Sequence, residues 1–75
     1  MKLVIKMDYL DKFGLNLKKI RNKSGLSQEN LAELTGLHRT YISFLERGQR
    51  NPTLTTIYKL AKVLDVEIIE MFKET

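Results

Sequence analysis

The sequence predicts an all-α fold, a compact bundle of five helices. Apolar residues recur at intervals of three and four along most of the chain, the spacing of one face of an α-helix. Short turn signals at Gly14, Ser24-Gly25, Gly36, Gly48 and Asn51-Pro52 divide these stretches, with no long polar loop between them. The chain has 75 residues and no cysteine, so one small core must form by helix packing, or with a partner chain, without disulfides or thiolate metal sites.

Residues 1–9 are expected to be an N-terminal arm, either a short strand over Met1–Met7 or a disordered segment, and residues 10–75 the domain. A first helix runs from Leu10 or Phe13 to Lys23, with Phe13, Leu17 and Ile20 on one face and Lys18, Lys19 and Lys23 on the other. Gly25 ends it. Ser27 is an N-cap for a second helix, Gln28 to Thr35. Three residues after Ser27 stands Asn30 rather than Glu or Gln, which leaves the capping box incomplete. Gly36 closes this helix. A third follows from His38 or Arg39 to Arg47, with Ile42 and Leu45 inward and Gly48 as its stop. Thr53 caps a fourth, Leu54 to Leu64, with a buried face of Leu54, Ile57, Leu60, Ala61 and Leu64. A short fifth helix covers Glu67 to Lys73.

The net charge of +4 is uneven. Residues 1–62 carry twelve of the thirteen basic residues and five of the nine acids, a net +7, whereas residues 63–75 carry −3. A basic body with an acidic end suits a polyanion on one side and a different contact on the other. The apolar run Leu3-Val4-Ile5 is too short to span a membrane or to serve as a signal peptide, so the expected location is the cytoplasm and no membrane partner is expected.

The unit from Gln28 to Arg47 carries the chemistry. Two short helices that cross steeply must approach closely, so the contact position on the first must be small, and Ala32 is. The turn requires a positive φ, which Gly36 accepts without steric cost. The second helix needs a branched apolar anchor to set its rotation, which Ile42 supplies, while Leu31, Leu37 and Leu45 fill the seam. Such a unit holds its second helix outward, and that helix fits a DNA major groove about 12 Å wide.

Over Phe13 to Phe72 the chain resembles the phage repressor and Cro family of helix-turn-helix proteins, with a lambda-repressor-like DNA-binding domain. The matching strings are LKKIRNKSGLSQENLAELTGL, HRTYISFLERGQRNPT and LTTIYKLAKVLDV, in order and spacing. More narrowly, RTYIS followed by ERGQRNPT is similar to the controller proteins of restriction-modification systems.

The resemblance implies roles for individual residues. Arg39 is a base reader, and its guanidinium is suited to grip guanine O6 and N7. Thr40 and Ser43 project on the same face, where they reach base edges or a thymine methyl. Phe44 falls on the outward side, to pack on thymine methyls as a base reader or to lean onto the core. Gln28 resembles a phosphate-contacting glutamine at a helix N-terminus. Tyr41, Arg50 and Asn51 lie where the family touches the DNA backbone, whereas Lys18 and Lys19 solvate the first helix. His38, the single histidine, caps the third helix or contacts a phosphate; alone it makes no metal site. Arg21 and Glu46 match a pair that is a buried structural ion pair in the family.

Ile68, Ile69, Met71 and Phe72 cover more than one side of a very short helix. A core role accounts for Ile68 and Phe72 but leaves Ile69 and Met71, and a twofold dimer interface accounts for those. The expected function is a homodimeric, sequence-specific regulator on double-stranded DNA with a pseudo-palindromic operator. RNA polymerase is a further partner if the bound protein activates. The alternative is an antitoxin that masks a toxin protein and autoregulates its operon, with Met1 to Tyr9 as its arm. An enzyme is not expected, because one histidine, no cysteine and no phosphate loop leave no catalytic set. No cofactor, metal or small-molecule ligand is expected.

Overall fold

The computed structural model describes residues 5–74, and Met1 to Val4 of the expected arm lie outside them. It contains four α-helices: α1 (Ile5–Lys23), α2 (Gln28–Thr35), α3 (Arg39–Glu46) and α4 (Leu54–Leu64). Ile68–Phe72 is a 3₁₀ helix, not a fifth α-helix. No strand occurs among the described residues. α1 also starts earlier than its apolar spacing suggests. From Ile5 to Phe13 the sequence holds neither proline nor glycine, so nothing interrupts the helix on the N-terminal side, and α1 takes in residues 5–9.

Local chemistry explains the helix ends. At the end of α1, Gly25 N–H donates to Asn22 O and Leu26 N–H to Arg21 O, the paired bonds of a Schellman motif. Asn30 N–H donates to Ser27 Oγ at 2.9 Å, and Ser27 N–H donates back to Asn30 Oδ1 at 3.2 Å. The capping box is therefore complete, with asparagine in the place of glutamate: the shorter carboxamide still reaches the N-cap amide. Gly36 ends α2 at φ 76°, with its N–H on Ala32 O at 2.8 Å. Beside it, Thr35 Oγ1 donates to Leu31 O and accepts from Leu37 N–H, which ties the turn to the helix. His38 is the N-cap of α3 by position, but its side chain makes no capping bond, which sets aside the first of its two expected roles and leaves the phosphate contact. Thr53 caps α4 by accepting from Thr56 N–H at 3.1 Å.

The core draws on every element: Leu17, Leu31, Ile42, Leu45, Leu60 and Met71 are fully buried. Leu54, expected on the buried face of α4, is 73 % exposed because it is the first residue of that helix and stands at its end. Met71 corrects a second expectation. In a 3₁₀ helix residues three apart eclipse one another. Ile68 and Met71 therefore share the inner face and Ile69 and Phe72 the outer one. Accordingly Met71 is in the core, Ile68 is half-buried, and Ile69 and Phe72 are 65 % and 48 % exposed.

α1 is the element against which α3 and the 3₁₀ helix are both set. At Gly14 a Cβ would lie 2.5 Å from Leu45 O and 2.6 Å from Glu46 O, so only glycine lets α1 touch the C-terminal carbonyls of α3. Two residues later, Asn16 is buried and its Nδ2 donates to Met71 O and Lys73 O at 3.0 and 2.9 Å. These bonds satisfy carbonyls at the end of the 3₁₀ helix. Lys12 Nζ reaches the Glu74 carboxylate just beyond.

Candidate nucleic-acid interface

α3 divides cleanly into two faces. Ile42, Leu45 and Glu46 are buried against the body. Arg39 and Thr40 are exposed, and Tyr41, Ser43 and Phe44 are half-buried. The loop that follows exposes Arg47, Arg50 and Asn51, and His38 is exposed just before α3 begins. The structure thus brings Arg39, Thr40 and Ser43 together on one helix and places Arg50 and Asn51 beyond its C-terminal end.

A buried polar triad fixes the rotation of this helix. Arg21 Nε donates to Glu46 Oε2 at 2.6 Å and Arg21 Nη2 to Glu46 Oε1 at 3.0 Å, a two-point pairing. Arg21 Nη1 donates to Leu26 O at 2.8 Å, so the guanidinium also ties down the chain between α1 and α2. Gln28 Nε2 donates to the same Glu46 Oε1 at 3.0 Å. Both charged side chains are nearly sealed from solvent, with exposures of 9 % and 3 %. Gln28 is therefore committed in part to Glu46, and the start of α2 and the end of α3 are held by one carboxylate.

That carboxylate is also the single acid between Arg39 and Asn51, a stretch that holds three arginines. Because Glu46 is engaged by Arg21, the outward surface of α3 and its loop keeps all its positive charge. Arg47 is a residue that the sequence reasoning missed. It lies just past α3, with its guanidinium carbon 5.0 Å from the centre of the Phe44 ring, and Arg50 lies 5.3 Å from the same ring. The spacing of Phe44 to Arg47 at three residues was the available signal, because such positions neighbour each other on a helix surface.

At the far end, Ile69 and Phe72 remain uncovered, and Phe72 stacks obliquely on Phe13 with ring centres 5.6 Å apart. Tyr58 on α4 is also more than half exposed. Among the described residues no group of His, Cys, Asp or Glu could hold a metal, and no helix is long and apolar enough to cross a membrane.

The helix-turn-helix family model matches residues 17–71. The chain belongs to the helix-turn-helix family. The control protein C.SmaI of Serratia marcescens is 48 % identical over 62 residues, covering 83 % of this chain and 74 % of that protein. The control protein C.BamHI of Bacillus amyloliquefaciens is 52 % identical over 56 residues, covering 73 % and 69 %. Among solved structures, the restriction-modification controller protein C.AhdI from Aeromonas hydrophila superposes with a TM-score of 0.81 at 54 % identity, covering 84 % of this chain and 96 % of its own. Relatives of this kind are regulators rather than enzymes, and their names favour a controller over a toxin-masking protein.

Proposed function

We propose that the chain is a sequence-specific DNA-binding transcription regulator, the controller of a restriction-modification system, acting as a homodimer on a pseudo-palindromic operator. The observation that supports this most directly is the helix α3, held outward by the Arg21–Glu46–Gln28 triad and free of any acid on its outer face. Arg39, Thr40 and Ser43 read base edges from the major groove. Gln28 at the start of α2, His38, Tyr41, Arg50 and Asn51 meet the sugar–phosphate backbone. Gln28 uses for this what Glu46 leaves free, its second amide hydrogen and the backbone N–H groups at the helix start. The dimer forms through the outer face of the 3₁₀ helix, Ile69 and Phe72, with Ile68 at its edge. Two α3 helices then enter successive major grooves about 34 Å apart.

A binding selection from random duplex DNA, with the mass of the bound complex determined alongside, tests this reading. The expected result is an enriched pseudo-palindrome carrying two protomers. Weak binding that follows salt alone, with no enriched sequence, would overturn it.

A further inference from the structure

Phe44 occupies an unusual setting for a side chain on a DNA-reading face. Arg47 and Arg50 both lie over its ring, at 5.0 and 5.3 Å. Arg47 is held a second time, because its Nε donates to Ser43 O at 3.4 Å, back along the helix. Neither arginine is ion-paired with a carboxylate among the described residues, and both are exposed. Two guanidinium groups gathered on one ring repel each other. In the free protein the ring, and for Arg47 the Ser43 carbonyl, oppose that repulsion. A pair of cations assembled in this way has an obvious complement, a pair of closely spaced anions.

We propose that Phe44 is a positioning residue rather than a base reader. Its ring is a platform that holds Arg47 and Arg50 as a clamp for neighbouring phosphates of the DNA backbone. The clamp lies one helix length from Arg39, so it grips the strand beside the bases that Arg39 reads. This deepens the DNA-binding reading and rests on it. Holding the two side chains in place before DNA arrives removes the rotamer freedom that each arginine would otherwise lose on binding. Any aromatic ring serves as a platform, whereas contact with a thymine methyl would give Phe44 a base preference of its own.

The test is a set of binding isotherms on the duplex recovered by selection, read between about 50 and 200 mM salt. The proteins are the wild type, Phe44→Leu, Phe44→Tyr, Arg47→Ala with Arg50→Ala, and the triple variant. Removing both arginines should flatten the slope of log K against log salt by about 1.8 per protomer, close to 0.9 for each phosphate that is no longer neutralised. Phe44→Leu should weaken binding about threefold to tenfold per protomer, because both arginines then lose rotamer freedom on binding. It should leave the selected sequence unchanged, and Phe44→Tyr should bind as the wild type does. In the arginine-free background Phe44→Leu should have almost no effect. A changed base preference in Phe44→Leu, an equal loss with and without the arginines, or weak binding by Phe44→Tyr despite an unchanged melting curve would each overturn the platform. If the wild type selects no sequence at all, the DNA-binding reading itself fails, a result separate from these.

Discussion

The two ends of this small molecule are unfinished in opposite ways. Around α3 the surface carries arginines that form no ion pair with an acid among the described residues, since Glu46 is engaged inside. Around the 3₁₀ helix the surface carries exposed apolar area at Ile69 and at the part of Phe72 that Phe13 leaves open. Charge left in water binds through salt-sensitive contacts with a polyanion. Apolar area left in water binds through burial that salt hardly touches. The contrast shows how one domain with a single core can present two faces that do not compete for the same partner. α1 keeps them in fixed relation, because it touches the α3 carbonyls at Gly14 and the 3₁₀ carbonyls at Asn16.

Four substitutions would sharpen or break that contrast. The largest effect is expected from Glu46→Ala, which leaves Arg21 buried without its partner. Urea unfolding should show a loss of about 3–5 kcal/mol, and DNA binding should fall with it. Near-native stability would mean that the triad does not hold α3. Met71→Ala should cost about 2–5 kcal/mol of stability through the cavity it leaves in the core, measured by the same titration. A loss of assembly with full stability would return Met71 to the interface, where the apolar spacing first suggested it.

Arg39→Ala should lower affinity for the selected duplex by about 1–3 kcal/mol while binding to unrelated DNA stays nearly constant in fluorescence anisotropy. An equal loss on every duplex would make Arg39 a phosphate contact. The smallest folding effect belongs to Ile69→Lys, at most about 0.5 kcal/mol at an exposed site. Its consequence should appear in sedimentation, as a dimer weakened by about 1–2 kcal/mol. If the variant remains fully dimeric at low concentration, the apolar face is not the interface.

Much of this architecture could be read along the chain. Ser27, Gly36 and Thr53 mark helix ends through bonds that reach only a few residues, so local sequence suffices to place α2, α3 and α4. The outward face of α3 follows from the positions of Ile42 and Leu45. The capping box was harder, because Asn30 completes it by geometry rather than by residue type. The Arg21–Glu46 pair spans twenty-five residues and was legible only through resemblance, since no local rule joins α1 to the end of α3.

By itself, then, the sequence determined the helical class, the turn at Gly36, the outward face of α3 and the separation of charge between the two parts of the chain. Tertiary structure alone decided three other points. It decided that the last segment is wound as a 3₁₀ helix, which turns Met71 inward and Phe72 outward. It decided that Leu54 stands clear of the core, and that Phe44 lies beneath two arginines. The reason is common to all three. Helix propensity and capping act within a turn or two, whereas burial and ring contacts depend on how far each helix has rotated against its neighbours. That rotation is settled only when the whole core packs.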